Sequence, residues 1–70
     1  MSAEDVVSIL LSENWVFIRR HGSHMIFRKN GIICPVPDHK ELKQGTLKNI
    51  RRIVKFANGE KRDGNNDIHI

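Results

Sequence analysis

The dipeptide Asn30-Gly31 sits between two apolar, β-prone runs, residues 24–29 (HMIFRK) and 32–36 (IICPV). A type I′ turn needs positive φ at both central positions, and Asn-Gly adopts it at least cost. The two runs are therefore predicted to be adjacent antiparallel strands. Upstream, residues 15–20 (WVFIRR) are aromatic and β-branched and read as a further strand. Gly22-Ser23 breaks that run before the second strand begins. Pro35 supplies no amide hydrogen, which places the third strand at a sheet edge or makes it irregular near its end.

Helical signals flank the three strands. Ser2 and Asp5 have the spacing of a capping box, with Asp where Glu is usual, and Val6, Val7, Leu10 and Leu11 recur on one stripe. The pattern predicts a helix over 3–13, closed by Asn14, which tolerates the left-handed conformation. After the strands, residues 37–45 (PDHKELKQG) read as a loop or single turn, and Thr46 is the expected N-cap of a helix over 47–58 (LKNIRRIVKFAN). Leu47, Ile50, Val54 and Ala57 share one face of it, with Ile53 beside them, while Lys48, Arg51, Arg52 and Lys55 lie largely on the other. Gly59 is the natural stop.

The predicted order is thus α-β-β-β-α, an α+β fold. Two helices bury their stripes on one face of a three-stranded antiparallel sheet and leave the other face open for a partner or substrate. A chain of 70 residues supports one modest core, since a domain this small buries only about 60% of its unfolded surface. A single domain is expected over 1–59. Residues 60–70 (EKRDGNNDIHI) are polar, with almost nothing to bury, and are expected to form a flexible tail.

Charge narrows the choice of partners. The chain has 12 Lys and Arg against 8 Asp and Glu, a net charge of +4. Ten of those basic residues, but only two acids, Asp38 and Glu41, fall between Arg19 and Lys55. Such a concentration favours an anionic partner, either nucleic acid or an acidic protein. The one cysteine, Cys34, has no internal partner for a disulfide, and no apolar run approaches the roughly 20 residues that span a membrane. Glu4 and Asp5 oppose a signal peptide, so a reducing cytoplasm is the expected compartment.

Alternation along the second strand sends His24, Ile26 and Arg28 one way and Met25, Phe27 and Lys29 the other. His24 enters that strand just beyond a Gly-Ser turn whose amides can face an anion, and imidazole gives and takes protons near neutral pH. RNA carries its own nucleophile in the 2′-hydroxyl. A protein that moves protons, at about 10² to 10⁴-fold per general acid or base, and stabilises the phosphorane with cations therefore suffices for cleavage. Plainer readings of the same residues stand beside this one. His24 fits a solvated side chain among basic neighbours, and the basic side of the last helix fits a solvated face. Zinc held by His21, His24 and His39 is disfavoured by the spacing, the missing second cysteine and the positive surroundings. Cys34 fits a small apolar strand residue. Trp15, Phe17 and Phe27 at strand spacing read as core rather than as base-stacking platforms.

Several blocks in a fixed order carry more information than any one of them. Trp15 is followed at set spacing by Arg19 and by Gly22-Ser23-His24; VPDH at 36–39, KELKQGTL at 40–47 and Ile50 come later. Together they resemble the HicA-type (YcfA-like) toxins of bacterial toxin–antitoxin modules over most of residues 2–55. The resemblance implies a double-stranded-RNA-binding-like α-β-β-β-α fold and metal-independent endoribonuclease activity on mRNA, with no cofactor. It also implies a HicB-type antitoxin that binds and masks the active surface, with no membrane and no DNA bound by the toxin alone. The family's active histidine carries over onto His24. Around it, Gly22 and Ser23 are expected to shape a phosphate pocket, Arg19, Arg28, Lys40 and Lys43 to attract RNA, and His39 to support substrate, while His21 is left as a bystander. The chain departs from the family in having Asn14 for the usual Gly, Trp15 for the usual Phe, and Arg51 where an apolar residue is common. The alternatives are a non-catalytic RNA-binding module of the same fold and a protein-interaction domain whose basic face serves an acidic partner.

Overall fold

The computed structural model describes residues 1–59; the tail expected over 60–70 lies outside the described residues. The elements run α1 (Ala3–Ser12), β1 (Val16–His21), β2 (His24–Lys29), β3 (Ile32–Pro37) and α2 (Gln44–Ala57). The strands form one antiparallel sheet in the order β1-β2-β3. Pro35 therefore lies in an edge strand, as its missing amide hydrogen requires.

Each end of α1 is held by residues whose chemistry announces it. The Ser2 hydroxyl accepts from the Asp5 N–H at 3.1 Å, and the Asp5 carboxylate accepts from the Ser2 N–H at 3.0 Å, which completes the capping box. That second bond holds the Asp5 carboxyl below its ordinary range, because a donated N–H favours the charged form. Beyond Ser12 the chain reverses at Asn14, which takes φ of 72°, and the Trp15 N–H returns to the Leu10 carbonyl at 3.0 Å.

Helix α2 begins three residues before the expected start, and Thr46 is not its cap. Lys43 occupies the N-cap with no side-chain hydrogen bond. The entry is fixed instead by apolar contact: Leu42 is buried, and Leu47, five residues on, packs on the same core. These are the positions of a hydrophobic staple, which sets the entry angle of a helix without a capping hydroxyl. At the other end, the Asn30 side-chain amide donates to the Ala57 carbonyl and Lys29 Nζ donates to Asn58 Oδ1, both at 2.8 Å. The β2–β3 turn thereby satisfies a carbonyl that the end of α2 leaves without an intrahelical donor.

Both helices cover the sheet face that carries Phe27, Cys34 and Val36. Ala3, Val6 and Leu10 come from α1, Ile50 and Ala57 from α2, and Trp15 and Leu42 close the cluster. Val7, Met25, Ile32, Leu47, Ile53 and Val54 pack around it, half-buried. Trp15 Nε1 is buried with no partner among the described residues. Phe17 corrects the expectation that all three aromatics are core, being 49% exposed with its ring edge-on to Phe27 at 5.6 Å. It stands on the core-facing side, but in edge strand β1, every residue of which is exposed, so nothing covers its outer half.

Candidate functional site

Strict alternation along β1 would set Arg19 on the same side as Phe17, towards the helices. The ladder shows otherwise: Phe17 pairs with Phe27 and Arg19 pairs with Ile26, leaving Ile18 as an extra residue between them. A bulge of this kind lets two consecutive side chains project from one face and re-aims whatever follows. Val16, Ile18 and Arg28 line a common cleft of about 490 Å³, which puts Ile18 on the open face, and Arg19 joins it there. Directly opposed residues share a face, so the open face holds Val16, Ile18, Arg19 and His21 from β1 and His24, Ile26 and Arg28 from β2. Arg20, paired with Met25, points to the other side.

The bulge and the turn together make the constellation. Gly22 and Ser23 form a two-residue connection, with φ of +61° at Gly22 and none in the left-handed range at Ser23, the φ pattern of a type II′ turn. Such a turn puts the residues on either side of it opposite one another, and the final pair of the β1–β2 ladder is His21 with His24. Arg19 is the diagonal neighbour of His24, at a range of about 7–8 Å that a long side chain spans. His21, Gly22, Ser23 and His24 are all exposed. No Asp or Glu occurs anywhere between Val16 and Pro37, so the sheet presents cations and imidazoles without a competing carboxylate.

Asp38 locks this end of the sheet. Its N–H donates to the Ser23 carbonyl at 2.8 Å, and its carboxylate meets Arg20 at 3.1 Å. The turn is thus tied to the end of β3, while Arg20, on the far side from His24, takes up the one nearby acid. Next in the chain, the His39 carbonyl accepts from the Ala3 N–H at 3.0 Å, which joins this loop to the start of α1.

The remaining expected site residues are more dispersed. His39 and Lys40 line a cleft of about 470 Å³ with Ser2, Ala3, Glu4 and Asp38, beside the start of α1, and His24 does not line it. Lys43 is exposed at the N-cap of α2. Arg28 lies on the His24 face but four residues along β2, about 13 Å away at strand rise. The structure therefore gathers Arg19, Gly22, Ser23 and His24, and places Arg28 further along β2, His39 and Lys40 in the cleft beside α1, and Lys43 at the entry to α2. Among the described residues no three His, Cys, Asp or Glu side chains converge as a metal site requires, so His21, His24 and His39 do not meet. No described helix is long and apolar enough to cross a membrane.

Two members of the site were not singled out by sequence reasoning. Asp38 reads in the sequence as part of a loop and shows its role only through its contacts to Ser23 and Arg20, whereas the pairing of His21 with His24 follows from the two-residue Gly-Ser turn. Between the charged rims, the open face is aliphatic, with Val16 59%, Ile18 43% and Ile33 46% exposed.

Comparison with protein families gives a match over residues 3–56 to a family described as the HicA toxin of bacterial toxin–antitoxin systems. No curated protein matches the chain, and no solved structure matches it.

Proposed function

The chain belongs to the HicA toxin family, and from that premise we propose that it is a metal-independent endoribonuclease that cleaves mRNA. In this reading it is the toxin of a type II pair and is silenced by a HicB-type antitoxin. The observation that carries the reading is His24, exposed at the mouth of a type II′ turn with Arg19 diagonal to it on an acid-free face.

The chemistry follows from that placement. A phosphodiester seated over the turn lies within reach of the Gly22 and Ser23 amides and the Ser23 hydroxyl, with Arg19 beside it. Cationic and N–H groups fixed in advance stabilise the phosphorane as charge develops, without reorganising at the moment of reaction. His24 moves the proton, a contribution of about 10² to 10⁴-fold. Arg28, four residues along β2 from His24, lies about 13 Å away, too far to touch the same phosphate, and Lys40 and Lys43 follow β3 on the loop and at the entry to α2. Their role is to hold the flanking strand electrostatically, which makes binding fall with added salt. His39, in the cleft beside α1, belongs to that outer rim.

Purified protein incubated with single-stranded RNA in EDTA tests the proposal. Wild type is expected to cleave and His24→Ala to lose about 10²-fold or more. Salt-sensitive binding without products would leave a non-catalytic RNA-binding module in its place. Growth arrest on expression, relieved by a small protein encoded alongside, is the corresponding result in cells.

A further inference from the structure

We propose that His21 is the second proton-transfer residue of this site, so that the two histidines flanking the Gly22-Ser23 turn act as the acid and base of a single RNA cleavage. The inference rests on the ribonuclease reading above and adds to it a catalytic residue.

The demand comes from the reaction. In an in-line displacement at phosphorus the entering and departing oxygens lie on opposite sides of the phosphorane. One imidazole beside the 2′-oxygen cannot in the same step protonate the 5′-oxygen. A base must take the 2′-hydroxyl proton as the O2′–P bond forms, and an acid must give a proton to O5′ as the P–O5′ bond breaks. The products are a 2′,3′-cyclic phosphate and a free 5′-hydroxyl. The two histidines end with their protonation states exchanged, and solvent resets them.

Among the described residues, the β1–β2 ladder supplies such a pair. His21 and His24 are the last opposed residues of the β1–β2 ladder. Opposed residues share a face, with Cβ atoms about 4.5–5.5 Å apart, and from there two rings can diverge to straddle a phosphodiester. Neither ring has a side-chain hydrogen bond among the described residues, and both are exposed. The other charged groups near the turn do not fit the task. Arg19, on the same face, offers a guanidinium that serves as a cation; Arg20 and Asp38 are engaged with each other; His39 lies in the cleft beside α1. The bulge at Ile18 is what brings the segment from Arg19 to His21 into this phase.

The test uses the full chain in EDTA with two RNA substrates under single-turnover conditions. One is ordinary RNA; the other has sulfur in place of the bridging 5′-oxygen at the scissile bond, a leaving group that departs without a proton. On ordinary RNA, His21→Ala and His24→Ala are each expected to slow cleavage by about 10² to 10⁴-fold, with melting temperatures unchanged because both side chains are exposed. On the sulfur substrate one variant, the one lacking the acid, returns to near wild-type rate while the other stays slow. If His21→Ala cleaves ordinary RNA as fast as wild type while His24→Ala does not, the pairing is overturned and the ribonuclease reading stands. If neither variant recovers on the sulfur substrate, the division into acid and base is overturned. Wild-type cleavage that vanishes in EDTA but appears with added divalent metal overturns both, as does a wild type that never cleaves.

Discussion

Deleting Ile18 should leave the molecule folded and its site intact. On either side of this residue the ladder is regular, Val16 with Arg28 and Phe17 with Phe27 before it, Arg19 with Ile26, Arg20 with Met25 and His21 with His24 after it. Removing Ile18 joins two stretches that are already in register, so no side chain changes face. The loss is the burial of a side chain that is 43% exposed. Since full burial of an isoleucine stabilises by about 1.5–3 kcal/mol, a little over half of that is about 1–1.5 kcal/mol. The gain is one residue fewer to order, about 1–2 kcal/mol of chain entropy. The two nearly cancel, and the melting temperature should move by no more than about 4–8 °C, the equivalent of 1 kcal/mol in a domain of this size. Deleting Ile26 is the control. Both turns then cannot be satisfied at once, because one end of β2 must send its core residues outward, and burial of Phe27 alone is worth about 3–5 kcal/mol. Circular dichroism melts should show a cooperative transition for the Ile18 deletion and none for the Ile26 deletion. A loss above about 3 kcal/mol on removing Ile18 would refute the pairing as described.

Other perturbations have equally definite outcomes. Burial pushes the Cys34 thiol up to about 11, so it stays protonated and unreactive; a thiol reagent at pH 8 should modify it only after denaturant is added. The lowered pKa of Asp5 makes its contribution to stability fully present above the pKa it has in the unfolded chain. That contribution disappears as pH falls through the folded value, so Asp5→Asn and wild type should melt apart at neutral pH and together in strong acid. Leu10→Ala empties a site that is 1% exposed and should cost about 2–5 kcal/mol by urea titration, close to the whole stability of a small domain. The Arg20–Asp38 pair is about half exposed on each side; a double-mutant cycle should return a coupling below about 1 kcal/mol.

The fold was legible because its signals are local. Asn30-Gly31 specified one hairpin, with φ of 52° and 78°, and Ser2 with Asp5 specified where α1 begins. The start of α2 was misplaced for a physical reason. Thr46 has the chemistry of a cap, but burial of Leu42 set the helix entry earlier, and a hydrophobic staple is recognisable only once the core it joins is known. Phe17 has the composition of a core residue. That it stands on the core-facing side of an edge strand, where its outer half is left uncovered, is a property of the sheet order. The position of His24 at the strand entry beyond its Gly-Ser turn could be read directly, whereas the face of Arg19 could not. A bulge has no residue signature at Ile18, and without it every residue of β1 before or after that point is assigned to the wrong side. The role of Asp38 as a lock depends on contacts to Ser23 and Arg20, fifteen or more residues away in the chain.

The two edges of the sheet differ in a way that governs assembly. Along β3, Ile33, Pro35 and Pro37 share one phase, and proline is admitted to a strand where its nitrogen faces outward. Two of the three outward positions on that edge therefore have no hydrogen to donate. The outer edge of β1 bears no proline and is exposed along its whole length. Both edges are thus blunted by different means, β3 by its prolines and β1 by the bulge at Ile18. A small basic protein with exposed aliphatic residues thereby carries a built-in limit on ribbon formation.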